Sequence, residues 1–125
     1  MASIRTLLRR DDGSVVELPE LDSQALAREA SNPASLLWLD ITDPGPSELE
    51  LLEQGLRLHP LAVEDIRKRR QRTKVDAYPG LYVIVAHEAV ASARRNGAAL
   101  RELHIVATRG AVVSVHWTAS AAIDA

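Results

Sequence analysis

Leu58-His59-Pro60-Leu61-Ala62-Val63-Glu64-Asp65, with Gln71-Arg72-Thr73-Lys74-Val75 close behind it, is the stretch on which the reading of this 125-residue chain turns. Pro60 has no N–H and a preset φ, so it suits the first position of a helix, with His59 before it in an extended or capping role. Stepping about 100° per residue from Leu61, the residues Leu61, Asp65, Ala62, Ile66 and Val63 share one arc. Glu64 falls outside it. A carboxylate within an apolar arc needs a compensating partner: an arginine, a set of N–H donors or a metal ion.

Bulk composition narrows the setting. At 125 residues the chain suits one domain with a real core. Apolar residues make up 46% and charged residues 26%, the balance of a globular chain and not of a disordered one. The net charge of −2 argues against wholesale nucleic-acid binding, although Arg67, Lys68, Arg69, Arg70, Arg72 and Lys74 crowd one short stretch. Cysteine is absent, which excludes disulfides and thiolate metal sites. Met1 to Arg10 mixes apolar and basic residues without the long apolar core of a signal peptide. No run reaches the roughly 20 apolar residues of a membrane helix. A soluble, cytosolic domain is the expectation.

Local patterns lay out the elements. Ile4 to Leu8 and Ser14 to Leu18 predict strands joined by an Asp11-Asp12-Gly13 turn. Asp22 or Ser23 caps a short helix that runs to Ala30 and stops at Asn32-Pro33. Leu36 to Ile41 is almost continuously apolar and predicts a buried strand running into the rigid loop Thr42-Asp43-Pro44-Gly45-Pro46. Ser47 with Glu50 predicts a capping box, and Leu49, Leu52 and Leu56 follow at helical spacing until Gly55 weakens or ends the helix. Ala77-Tyr78-Pro79-Gly80 predicts a turn. Leu81 to His87, Leu100 to Ala107 and Ala111 to Trp117 then predict a three-strand meander, with Arg94-Arg95-Asn96-Gly97 as a loop tip. Ala119 to Ala125 reads as the opening of a helix. Strands precede, separate and follow the helices, so the expected fold class is α/β: a layered domain with a central mixed β-sheet flanked by short helices.

Several of these pieces together resemble the N-terminal cytoplasmic domain of the CorA-type family of magnesium and divalent-cation transporters. They are Trp38-Leu39-Asp40-Ile41, Pro44, Glu48-Leu49, Leu58-His59-Pro60-Leu61, Glu64-Asp65, Gln71-Arg72, Lys74-Val75, Tyr78 and Leu81 to Val85. The resemblance covers about Leu36 to Trp117. Thr73 stands where the family usually has proline. The family's two C-terminal membrane helices and Gly-Met-Asn pore signature are not in this sequence. The resemblance therefore implies a single regulatory domain over residues 1–125, ahead of a stalk helix and membrane segments, at the cytoplasmic face of the cell membrane. It further implies non-enzymatic regulation of a magnesium channel by divalent ions held between neighbouring subunits of a homo-pentamer. Asp65 falls at the position of the regulatory ion's ligand, with Glu64 a second, weaker contributor. Mg2+ often needs only one or two carboxylates and keeps several waters. The family's remaining ligands lie partly on the stalk helix, so Mg2+ affinity in the isolated domain is expected to be weak.

Plainer roles stand beside these. Glu64 and Asp65 suit the dipole near a helix start, and Asp65 can pair with Arg69 or Arg72. Asp40 and Asp43 can close a turn. His59 can be a cap, and His87, His104 and His116 on neighbouring strands invite comparison with a zinc site, without any clear ligand spacing. A zinc-transporting relative is the alternative within the same superfamily. The basic run suggests a nucleic-acid module as a further alternative, weakened by 3% aromatic residues and the acidic net charge, so no nucleic acid is expected as a partner.

Overall fold

Strict alternation along Leu36–Thr42 sorts the two faces of the molecule's sheet: Leu37, Leu39 and Ile41 are buried, while Trp38, Asp40 and Thr42 are half-buried on the opposite side. The run expected to be buried throughout is thus fully buried on one face only. In this computed structural model, residues 2–92 and 97–124 are described. Their elements are β1 (Ser3–Arg9), β2 (Val15–Leu18), α1 (Ser23–Ala30), β3 (Leu36–Thr42), α2 (Pro46–Leu56), α3 (Pro60–Lys68), β4 (Lys74–Tyr78), β5 (Leu81–Ser92), β6 (Gly97–Thr108), β7 (Ala111–His116) and α4 (Ala121–Asp124). The seven strands form one sheet in the order β2-β1-β3-β7-β6-β5-β4. Only β3 and β7 pair in parallel; every other neighbour is antiparallel, so the sheet is mixed and the fold α/β as expected.

Register carries the core across the sheet. Ile41 lies opposite Val115, and Leu39 opposite Val113, which pairs with Val106, which in turn pairs with Val83. On that face Leu26 of α1, Leu49 and Leu52 of α2, and Ala62, Val63 and Ile66 of α3 complete one apolar cluster. Full burial of a leucine contributes roughly 1.5–3 kcal/mol, so Leu26, Leu37, Leu39 and Leu52, all at 1% exposure or less, anchor this layer.

The helix ends show which local signals prevailed. Asp22 caps α1 by accepting from the Ala25 N–H at 2.8 Å. The cap of α2 lies two residues before the expected Ser47: the Gly45 N–H donates to Glu48 Oε1 at 2.7 Å, with Pro46 at the first helical position. Glu50 accepts from Gln54 instead. Gly55 does not end α2 but lies inside it. A Cβ there would stand 2.6 Å from Leu26 Cδ2, so the missing side chain is what lets α1 and α2 approach. Gly110 does the same for the β6–β7 turn, where an added Cβ would land on the Ala30 carbonyl.

Two expectations change in extent. The turn predicted over Ala77-Tyr78-Pro79-Gly80 is only Pro79-Gly80, because Ala77 and Tyr78 belong to β4, which pairs antiparallel with β5. Strands β5 and β6 run to 12 residues each. The predicted tip at 94–96 lies outside the described residues, and Gly97 opens β6. After β7, Ser120 Oγ donates to Glu88 Oε2 at 2.7 Å and the Ala122 N–H to Glu88 Oε1 at 2.9 Å, which holds the start of α4 against β5. Ile123 then lies by Arg5, Leu7, Trp38 and Asp40 on the sheet's second face.

Candidate functional site

Helix α3 begins as its sequence predicts. His59 Nδ1 accepts from the Leu61 N–H at 3.1 Å, and Pro60 occupies the first turn. Its buried stripe is Ala62, Val63 and Ile66, narrower than the expected arc, because Leu61 turns outward and is 54% exposed. Asp65, one position before Ile66, leans toward β4.

There it meets a cation from the strand and not from the basic run's arginines. Lys74 Nζ donates to Asp65 Oδ2 at 2.7 Å and lies 3.1 Å from Asp76 Oδ2. Lys74 and Asp65 are 20% and 23% exposed, sheltered enough for the pair to matter more than a surface bridge. The bonds to Asp65 and then Asp76 hold the Lys74 ammonium above the ordinary lysine range. Tyr78, two residues on from Asp76 and therefore on the same strand face, stacks on His59 with centroids 4.6 Å apart. Burial first, then the negative charges of Asp76 and Asp65, raise its phenol. His59–Tyr78 and Asp65–Lys74 thus fasten both ends of α3's outer edge to β4.

Glu64 goes elsewhere. It pairs with Lys68 one turn on, at 3.3 Å, in the open. The structure therefore does not bring Glu64 and Asp65 to one point, as the helical spacing of adjacent residues requires. The carboxylate that does join Asp65 is Asp76, which sequence reasoning missed. The polar–apolar alternation Lys74-Val75-Asp76-Ala77-Tyr78 was the available signal: it reads as a strand with Lys74, Asp76 and Tyr78 on one face.

The donor chemistry fits a hard cation in part. Two carboxylates and one ammonium leave one net negative charge, and hydrated Mg2+ is commonly held through one or two carboxylates. Among the described residues no group of three or more His, Asp or Glu is placed to hold a metal. The corner can supply Asp65 and Asp76 to an ion, in competition with Lys74, but not a closed cage.

The three strand histidines do not meet at one point: His87 and His104 both lie against Glu102, His87 Nε2 at 3.9 Å, whereas His116 does not. His104 pairs with Val115 on the helix-covered face, fully buried, with Nε2 2.6 Å from Glu102 Oε2. His116 points to the other face, where Nε2 lies 2.8 Å from Asp40 Oδ1. Ser114 Oγ also donates to Asp40 Oδ1, at 2.7 Å, and Trp38 Nε1 donates to Ser114. Asp40 is therefore the hub of a cross-strand network and not a turn-closing residue. Among the described residues no helix is long and apolar enough to cross a membrane.

A family model described as "CorA-like Mg2+ transporter protein" matches residues 33–125. The magnesium transporter ALR1 of Saccharomyces cerevisiae is 34% identical over 50 residues, which are 40% of this chain and 6% of that protein. The complete CorA magnesium transporter from Methanocaldococcus jannaschii aligns over 95% of this chain and 34% of its own, with TM-score 0.67 and 16% identity. The ZntB cytoplasmic domain from Vibrio parahaemolyticus aligns over 96% of this chain and 46% of its own, with TM-score 0.66 and 11% identity. At such identities the structural likeness speaks for the fold alone, and the chain spans only a small part of its transporter relatives. The match over most of the sequence, on a fold shared with CorA soluble domains, settles the family: this chain belongs to the CorA-like Mg2+ transporter proteins.

Proposed function

We propose that this chain is the N-terminal cytoplasmic, ion-sensing domain of a CorA-like magnesium channel. In this reading it is non-enzymatic and packs against neighbouring subunits and a stalk and membrane helices on a longer chain. Divalent ions between subunits hold the closed state, and their loss releases it, a shift in population driven by differential affinity. The observation that carries the proposal is the α3–β4 corner: Asp65 and Asp76 both turn to a single cation, Lys74, at the edge of the domain. A corner that already concentrates negative charge on a part-buried cation is suited to exchange that cation for Mg2+ when further oxygen ligands arrive from another segment. Asp65 is the ligand in this reading. Glu64, half-exposed beside it and paired with Lys68 at 3.3 Å, contributes long-range attraction and a water-mediated contact.

The test is magnesium dependence of transport by the full-length protein with and without Asp65→Asn, in membranes of defined ion content. Loss of inhibition by Mg2+ on the cytoplasmic side supports the assignment, and an unchanged response refutes it. The second reading is the equivalent domain of a zinc-transporting relative. Flux of Zn2+ exceeding that of Mg2+ through the same protein would decide for it.

A further inference from the structure

Four pieces of chain wall an open cleft of about 750 Å3: the end of α3 with Lys68, Arg69 and Arg70, His87 of β5, the β6 residues Arg101 and Glu102, and Trp117 just after β7. Four cations face one concavity whose lining includes a single carboxylate. That carboxylate is already engaged. Glu102 Oε1 accepts from the Gln71 N–H at 2.7 Å, Oε2 lies 2.6 Å from His104 Nε2, and the side chain is 9% exposed. It anchors the wall; with Lys68 paired to Glu64 at 3.3 Å, the three arginines outnumber the one carboxylate and leave the lining net positive.

The cations are placed, not scattered. The Arg69 guanidinium sits 4.5 Å from the centroid of the Trp117 ring, and His104 packs edge-on against the same ring at 5.3 Å. Arg101 Nη1 donates to the Ala119 carbonyl at 3.2 Å. Arg70 makes no ion pair among the described residues. Arg69 and Arg70 both adopt positive φ, 57° and 54°, a conformation that costs roughly 1 kcal/mol or more for a residue with a Cβ. Arg69 is the C-cap of α3, its N–H donating to the Asp65 carbonyl at 3.0 Å, so this backbone ends the helix and sets both arginines on the rim of the cleft. Arg67 and Arg72 belong to the same basic run yet do not line the cleft.

We propose that this cleft is an anion site that takes a small phosphate-bearing molecule, with phosphate oxygens on Arg69, Arg70 and Arg101 and the apolar part beside Trp117. Guanidinium forks match phosphate geometry with paired N–H donors. The volume falls within the roughly 300–1,000 Å3 of small-molecule sites. Cations that converge on a concavity suit a compact ligand, whereas a nucleic acid calls for cations spread along a track. The site uses none of the groups at the Asp65–Lys74 corner, so it stands whether or not that corner senses ions.

The 125-residue chain, 15N-labelled, is titrated at low salt and without divalent ions with inorganic pyrophosphate and with ATP. The readout is the indole N–H resonance of Trp117, with that of Trp38 as internal control. Saturable shifts at Trp117 alone are expected. Arg70→Glu and Arg101→Glu should weaken the affinity about tenfold or more, and Arg67→Glu and Arg72→Glu about twofold or less. Arg70→Glu breaks no side-chain hydrogen bond or ion pair within the described residues, and an unchanged unfolding midpoint separates its effect from a folding defect. A second arm uses vesicles carrying a phosphorylated inositol lipid. Vesicle binding that pyrophosphate displaces assigns the phosphate to a headgroup; pyrophosphate binding without vesicle binding assigns it to a free ligand. The proposal is overturned if Trp117 shows no saturable shift up to about 10 mM pyrophosphate, a very weak limit. It is equally overturned if Arg67→Glu costs as much as Arg70→Glu, or if duplex DNA binds more tightly than pyrophosphate and is lost equally with every arginine of the run.

Discussion

Lys74 Nζ lies 2.7 Å from Asp65 Oδ2, and this one bond joins the helix that carries the family's His-Pro-Leu motif to the edge strand of the sheet. The lysine's second carboxylate, Asp76, makes the bond a three-member cluster. Replacing Lys74 by methionine leaves two partly sheltered carboxylates facing each other. A loss of about 1–2 kcal/mol is expected in urea unfolding, more than a surface pair contributes.

The same cluster sets an alkaline limit. Lys74 has a raised folded-state pKa, so its contribution is fully present below the unfolded lysine value and is lost as pH rises through the folded one. Tyr78, also raised, loses its contribution in the same direction. Stability should therefore fall above about pH 10, and Lys74→Met should remove part of that fall. A pH profile of unfolding midpoints that is unchanged by the substitution would count against the cluster.

At the acid side, Glu48 works in the opposite sense. The Ser47 hydroxyl first, and the Gly45 N–H second, stabilise its carboxylate and lower its pKa. Its contribution is present above the unfolded glutamate value and is lost as pH falls through the folded one. Glu48→Gln should cost about 1 kcal/mol at pH 7 and make unfolding less dependent on pH below about 4.5. A greater effect of Glu50→Gln would restore the cap to Ser47.

Two glycines differ in what they would meet. At Gly55 an added methyl meets Cδ2, Cγ and Cβ of the fully buried Leu26, which yields only by local repacking; at Gly110 it meets the Ala30 backbone carbonyl, which yields only if the backbone moves. Gly55→Ala should cost about 1 kcal/mol and Gly110→Ala about 3, as overpacking against a rigid neighbour does. Thermal unfolding of the two variants side by side gives the order directly.

Much of this was legible in advance because it was local. Pro60, Asp22 and Asn32-Pro33 act within one or two turns of chain, and the structure follows them. The β5–β7 meander follows likewise from apolar runs separated by short turns. What was hidden depends on residues far apart in sequence. Gly55 reads as a helix breaker until Leu26 of another helix is seen against it. Asp40 reads as a turn residue until β7 brings Ser114 and His116 beside it. At the candidate site, Asp65's need for a partner followed from helical periodicity, and the family pattern singled out its position. The identity of that partner did not follow, because the basic run offered six cations and only strand formation at β4 selects Lys74. The resemblance makes Glu64 a second, weaker contributor beside Asp65, whereas helical spacing already sets Glu64 outside the arc and the helix turns the two apart.

In the isolated chain, Lys74 already supplies the positive charge that Asp65 requires. Magnesium at about 10 mM should therefore move the unfolding midpoint by about 1 °C or less, and Lys74→Met should enlarge that shift by relieving the competition. A large shift in the native chain would mean that the domain holds a complete site without its neighbours.

Magnesium flux through the full-length protein decides whether Asp65 is the sensing ligand of a CorA-like channel. As cytoplasmic Mg2+ rises through the millimolar range, flux through the native protein should fall, and flux through Asp65→Asn should persist until Mg2+ is several-fold higher. If both close at the same Mg2+ concentration, Asp65 does not sense the ion, and its bond to Lys74 is structural only.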